Sequence, residues 1–293
     1  MPSSEATAAV RIGARPPLRP GAALGRVLLL LVPGAYLAAL LLAPLFAVVR
    51  AAFAHGPLAF AAAVSSPLAL HAFAMTALTT AVAVVLNTAF GLAIAWVLVR
   101  DDFRGRRLLS GLVDLPFSVS PVMIGLMAML LFGTGGWLLP ATRALHLRVL
   151  FGWPAMALAT TFVSLPLVVR ELVPVLEEAG IAEEEAARTL GASRWQTLRH
   201  VVLPTVRWGL LYGVVLTTAR CLGEFGAVLL VSGAMPGQTE TATLLVYRLL
   251  EERRDAEAHA VAVVLATASV ALLAAMKLVE SRRNREHAAE GAA

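Results

Sequence analysis

Long apolar runs alternate with short polar strips along this chain, and the runs set its plan. A bilayer needs about 20 apolar residues to be crossed by a helix. Residues 27–49, 72–99, 108–132, 151–169, 208–231 and 259–279 meet that length or come close to it. The pattern predicts an all-α polytopic membrane protein with six transmembrane helices. Pro33 and Pro44 lie near the ends of the first span, and a loop of about twenty residues with His55, Gly56, Pro57 and Pro67 follows. The first run is too long for a signal-peptide core and has no convincing cleavage site, so it reads as a retained helix. The second span, at about 28 residues, should tilt or protrude; it carries no charge, but holds Asn87 and Gly91. The third holds Asp114, Pro116, Ser118, Ser120 and Pro121. Two prolines five apart bend or break a helix and free backbone groups, which is tolerated where the backbone is buried in protein or lines a cavity. Ser118 and Ser120 are therefore candidates for cavity lining, with a plain packed kink as the alternative.

Charge decides orientation. The chain of 293 residues has a net charge of +5, and Lys277 is its only lysine. Six spans put both ends on one side. The N-terminal segment, the 100–107 turn, the 170–207 loop and the C-terminus hold about 17 of the 24 basic residues; the opposite loops hold about six, and Arg220 lies in a span. By the positive-inside rule both termini and the 170–207 loop are cytoplasmic. Residues 1–26, rich in Pro, Ala and Arg, read as a disordered cytoplasmic tail, 27–279 as the membrane domain, and 280–293 as a second cytoplasmic tail. Trp137, Trp153 and Trp208 fall near span ends, where indole rings favour the interface.

The longest polar strip, residues 171–206, has internal order. Glu183, Glu184 and Glu185 open a helical stretch to Leu190, and acidic residues there offset the positive end of the helix dipole. Gly191 suits the left-handed position that ends a helix. Ser193 with Gln196 three later fits a capping box that starts a second helix. That helix should carry Trp195, Leu198 and Val202 on roughly one face, and Pro204 should kink the entry into the fifth span. The small Ala186 and Ala187 would allow a partner to approach closely, and Glu185 could pair with a basic residue on it. An ordinary amphipathic hairpin on the membrane surface is the alternative.

Inside the membrane, Arg220 and Glu224 are four residues apart. Such charges cost several kcal/mol and usually face a cavity or a partner. They can pair with each other across one helical turn, and a paired Arg220 can still donate hydrogen bonds to an anion. Gly223, Gly226 and Gly233 flank them and would permit close helix crossings. Several chemistries are excluded. No Gly-rich turn leads into Lys277, so the chain has no P-loop with which to bind ATP. Cys221 is the only cysteine, and the six histidines have no metal-ligand spacing. No Ser, His and Asp grouping suggests hydrolysis. At 59% hydrophobic and a mean hydropathy of +0.78 the chain is a membrane component, with no nucleic-acid partner implied.

The strip resembles a known family. Glu185-Ala186-Ala187, Gly191 after three residues, and Val201-x-Leu203-Pro204 after nine more are similar to the EAA loop of ABC importer permeases, E-A-A-x3-G-x9-I-x-L-P, with Val201 where Ile is usual. Residues 112–136, 162–174, 183–193 and 220–233 resemble sulfate/thiosulfate importer permeases. The Gly-Glu-Phe-Gly-Ala-Val run from Gly223, with Val231-Ser232-Gly233 after it, resembles the W-type subunit. The likeness covers about residues 70–279.

The resemblance implies the type I importer fold shared by methionine and molybdate permeases, in a bacterial inner membrane. It implies a second, T-type permease, two copies of a separate ATPase that binds ATP and Mg, and a periplasmic or lipid-anchored anion-binding protein. No cofactor is expected in this chain itself. Glu185, Ala186, Ala187, Gly191, Leu203 and Pro204 would couple to the ATPase, and Arg220, Glu224, Ser118 and Ser120 would lie on the translocation path, in an alternating-access mechanism. After Gly233 the sequence departs from the family, which usually places a basic residue before that glycine and Leu-Pro after the second Thr. Molybdate or tungstate permeases share much of the 185–233 signature and remain an alternative. A stand-alone secondary transporter or channel would need coupling acids in its core, for which Asp114 and Glu224 are the candidates.

Overall fold

The computed structural model describes residues 20–145 and 149–290. Residues 1–19 of the tail expected over 1–26, the end of the second tail at 291–293, and residues 146–148, with His146 and Arg148, lie outside the described residues. Among the described residues every regular element is helical. The chain divides at Ala47 and Val48 into two units. The first carries most of α1, Pro20–Ala52, which begins within the segment expected to be tail and whose side chains from Leu29 to Phe46 are exposed.

The second unit holds the remaining elements. α2, Pro57–Val64, interrupts what the sequence suggested was an open loop: Gly56 and Pro57 end one helix and start the next, and Ser66 caps the following one. α3, Pro67–Arg100, is longer than the predicted second span. α4, Arg106–Ser118, and α5, Pro121–Phe132, replace the single third span and are bent by 112° from each other. α6, Leu139–Ala144, is a short outer turn, and α7, Trp153–Ala179, runs ten residues past its predicted end. α8, Ala182–Thr189, and α9, Arg194–Thr197, lie in the polar strip 171–206. α10, Leu203–Leu222, and α11, Gly226–Ser232, replace the single fifth span. α12, Ala242–Glu251, falls outside every predicted span, and α13, Asp255–Glu290, extends through most of the expected C-terminal tail. Among the described residues five helices are long and apolar enough to cross a membrane, or six if α4 and α5 count as one bent span.

The breaks have local causes. Pro121 cannot donate to Phe117, so α4 ends at Ser118 and α5 starts with proline in its first turn. At 223–225, Gly223 ends α10, and the Glu224 carboxylate accepts the free N–H of Ala227 at 3.1 Å.

α7 is the central element, packed along α3 on one side and α10 on another, while α5 pairs with α11. In lipid the apolar driving force between helices is weak, and close packing of small residues takes its place. Val168 of α7 is gripped by two glycines: a Cβ on Gly91 would fall 2.7 Å from its Cγ1, and one on Gly213 would fall 3.3 Å from its Cα. Gly125 of α5 approaches α11 so closely that a Cβ there would lie 2.7 Å from the Ala227 carbonyl oxygen. Since that neighbour is backbone, Gly125→Val should destabilise the helix pair by about 1–3 kcal/mol, read as a lower unfolding temperature in detergent. Gly111→Val, where nothing lies within 4 Å, should be nearly silent. Equal shifts in the two variants would contradict the contact.

Candidate functional site

The 171–206 loop forms as its local signals require. Glu183, Glu184 and Glu185 occupy the first turn of α8. The helix closes with paired bonds, Gly191 N–H to Arg188 O and Ala192 N–H to Ala187 O, both 3.0 Å, which is the Schellman pattern. Gly191 has φ +88°, a left-handed conformation. Ser193 accepts from Gln196 N–H at 3.3 Å while the Gln196 side chain accepts from Ser193 N–H at 2.8 Å, completing the capping box.

The second helix differs from expectation. No break falls at Pro204: α9 passes through a single π-helical turn, Leu198–Val202, into α10 without interruption, and Leu203 N–H donates to Leu198 O. Proline crowds the carbonyl four residues before it, and the widened turn just ahead of Pro204 makes room. The turn also shifts the helix phase. Thr197 and Val202 are buried while Trp195 is 67% exposed, so Trp195 and Val202 do not share a face. Leu203 is half-buried and Pro204 exposed at the start of α10.

Glu185 and Ala186 are exposed and Ala187 is half-buried. Leu190 is 89% exposed, and with Trp195 it places two large exposed apolar side chains on either side of the Gly191 turn, Trp195 at the start of the continuous helix Arg194–Leu222. Exposed apolar surface rimmed by charge marks a surface that another protein or the membrane covers. The sequence reading had chosen Glu185 and the alanines but had not singled out Leu190; its place just before the turning glycine is the signal that could have found it.

Arg220 and Glu224 meet as expected, Nη1 to Oε2 at 2.6 Å. The Glu224 side chain is 3% exposed and that of Arg220 38%. Glu224 holds the α10–α11 break: one oxygen takes Arg220, the other takes Ala227 N–H, and its backbone carbonyl accepts from Thr243 Oγ1 at 2.7 Å. This break lies against the α4–α5 corner, since a Cβ on Gly226 would come within 3.1 Å of Val122 Cγ2 and 3.2 Å of Pro121 Cβ. The fold thus brings the two stretches chosen from sequence, 118–121 and 220–226, side by side. Ser118 and Ser120 are exposed at the corner. On the side of the 100–107 turn, a cavity of about 480 Å³ is lined by Arg106, Arg107, Ser110, Asp114 and Arg170 among others. Asp114 accepts from Arg170 Nε at 2.9 Å, and Arg170 also stacks over Phe117 at 4.6 Å. Both candidate coupling acids, Asp114 and Glu224, are therefore ion-paired.

The outer segment after Gly233 is stitched to its surroundings. Thr239 Oγ1 donates to Ser232 O at 2.7 Å, Ala242 N–H to Thr76 Oγ1 at 2.9 Å, and His71 Nε2 meets Gln238 O at 3.2 Å. Glu240 is fully buried and takes both arms of Arg248, at 2.6 and 3.1 Å. The bond to Glu240 pushes the Arg248 guanidinium up from its ordinary value, while the bond from Arg248 pulls the Glu252 carboxyl down. Glu240 is a buried acid that the sequence pattern does not reveal, because its partner Arg248 lies eight residues on, in a helix outside every predicted span.

Among known proteins, the family model for binding-protein-dependent transport system inner membrane components matches residues 87–285. A sulfate transport system permease protein CysW of Synechocystis sp. is 44% identical over 253 residues, covering 86% of this chain and 92% of that one. A sulfate transport system permease protein CysT of Escherichia coli K12 is 38% identical over 222 residues, covering 76% and 80%. A chain in the crystal structure of a bacterial alginate ABC transporter, in complex with its alginate pentasaccharide-bound periplasmic protein, superposes with a TM-score of 0.73 at 17% identity, over 88% of this chain and 94% of that one. At that identity the likeness is one of fold.

Proposed function

Since this chain belongs to the family of binding-protein-dependent transport system inner membrane components, we propose that it is the W-type permease subunit of an ATP-driven sulfate importer. Its fold is that of a type I importer permease. The reading of sulfate rests on the CysW and CysT relatives. The observation that carries the mechanism is the exposed Glu185, Leu190 and Trp195 surface, presented on a rigidly capped loop by a chain without a P-loop of its own.

A separate ATPase, which binds ATP and Mg, docks on that surface. A second permease of T type packs against the exposed apolar faces of the spanning helices, and a binding protein delivers the anion from outside, across a bacterial inner membrane. When the ATPase dimer closes it displaces α8 and α9. α9, the π-turn and α10 are one continuous helix, so the displacement reaches Leu222 and the Glu224 break without an intervening hinge. The break and the α4–α5 corner then rearrange together because they are in contact. Arg220, half-exposed beside them, supplies positive potential to the anion, and Ser118 and Ser120 supply hydroxyl donors at the corner.

The test is uptake of labelled sulfate by proteoliposomes containing this chain, a T-type permease, the ATPase and the binding protein. Uptake should require ATP and every component, and sulfate should outcompete molybdate by at least about tenfold, or about 1.4 kcal/mol of preference. A preference for molybdate would reassign the anion. Uptake by this chain alone, without ATPase, would make it a secondary transporter or channel.

A further inference from the structure

Of the three glutamates that open α8, only Glu184 is buried, its side chain 5% exposed, whereas Glu183 and Glu185 face out. Its carboxylate is engaged by the last turn of α3: Oε1 accepts Arg100 Nε at 2.7 Å and Oε2 accepts Trp96 Nε1 at 3.3 Å. Arg188 of α8 itself stands 3.6 Å from Oε2. Trp96 and Arg100 are four residues apart and so share one face of α3. Arg100, its side chain 8% exposed, also donates from Nη2 to Gly180 O at 2.6 Å, at the residue that ends α7. One carboxylate and one guanidinium thus tie together α3, the end of α7 and α8. A glutamate needed only to complement the helix dipole would stay solvated. Burying both ions is costly unless each is closely partnered, so this arrangement has a demand placed on it beyond starting a helix.

The backbone around α8 sharpens the point. The helix lies between Gly180 at φ +69° and Gly191 at φ +88°. Each glycine has a positive φ and ends the helical run, so α8 joins α7 and α9 through turns and not through continuous helix. Among the described hydrogen bonds and ion pairs, those that α8 side chains make to other elements all pass through Glu184. α3 in turn packs along α7 and α10.

We propose that Glu184, Arg100 and Trp96 form a strut that passes displacement of α8 directly into α3, a second route beside the α9–α10 helix. Glu185 faces the ATPase, and Glu184, its neighbour on the other side of α8, holds the chain's own helices. These are positioning residues, and the inference rests on the importer reading given above.

The experiment measures sulfate moved per ATP hydrolysed by the complete reconstituted complex, for wild type, Glu184→Ala, Glu184→Gln and Trp96→Phe. Co-purification of the ATPase is measured in parallel. The expected result is that ATPase co-purifies and hydrolyses ATP in every variant, while sulfate per ATP falls at least about fivefold in Glu184→Ala. Glu184→Gln, which keeps acceptor and shape but loses charge, should fall in between, and Trp96→Phe, which removes one N–H from an otherwise intact site, should fall about twofold. Unchanged sulfate per ATP in Glu184→Ala and Trp96→Phe overturns the strut. So does a loss of uptake and hydrolysis in strict proportion to lost assembly, which a purely structural tie would give. A wild-type complex that hydrolyses ATP and imports no sulfate overturns the importer reading, and the strut with it.

Discussion

Replacing Gly191 by proline should leave the chain in the membrane and stop ATP-driven uptake. Proline fixes φ near −65°, whereas Gly191 sits at +88°. It also removes the N–H that donates to Arg188 O. The turn joining α8 to α9 would have to reopen, at a cost of about 3 kcal/mol or more, and the Glu185–Leu190 surface would no longer be held beside Trp195. A Cβ at this position meets nothing within 4 Å, so the effect is one of backbone conformation and not of crowding. A graded series follows. Gly191→Asn, which tolerates the left-handed region, should stay near wild type, and Gly191→Ala should lose about 1–2 kcal/mol of local stability with partial uptake. Uptake rates normalised to membrane-inserted protein decide the matter, and a proline variant that transports normally would remove the loop from the coupling mechanism.

Removing Arg220 should do more damage than removing the charges of Arg220 and Glu224 together. Arg220→Ala leaves the almost fully buried Glu224 carboxylate, among the described hydrogen bonds, with only the Ala227 backbone N–H as its donor. Breaking a buried pair in this way costs about 3–5 kcal/mol, at the lower end here because the Arg220 side chain is 38% exposed. The double variant Arg220→Ala/Glu224→Gln keeps an acceptor for Ala227 and has no charge to strand. It should recover assembly and thermal stability to within about 1 kcal/mol of wild type. Uptake should stay low in the double variant, since the positive potential for the anion is still missing. Full recovery of uptake together with stability would make the pair a structural clasp alone. Measuring both quantities on the same preparations separates the two roles.

What could be read from the sequence was whatever is decided locally. The Ser193 capping box and the Gly191 turn depend on residues within five positions of each other, and both formed as expected. The Arg220–Glu224 pair is a single-turn contact and was equally legible. The proline pair of the third span announced a disturbance, although not its size of 112°. The rest depended on distant chain. Three glutamates in a row are indistinguishable until Arg100, 84 residues earlier, selects Glu184 as the buried one. The end of the fifth span at Gly223 is fixed by Glu224 capping α11, which competes with simple continuation of an apolar run. α12 was missed because it has only ten residues, too few to cross a bilayer, and its apolar run is interrupted by Arg248 and closed by Glu251.

The π-turn at Leu198–Val202 has a geometric consequence for the whole loop. An α-helix rotates about 100° per residue, and a π-turn accommodates one residue more than an α-turn in closing its hydrogen bond. The turn therefore acts as a phase shifter built into a continuous rod. It leaves the helix continuous from α9 into α10 while rotating the α9 surface by roughly a quarter-turn relative to the buried stripe of α10. Thr197 and Val202 stay in register with Val206 across this offset, and Trp195 is turned outward. One inserted residue lets a single helix show an apolar side to its neighbours in the bundle and a different apolar side to whatever sits beneath it.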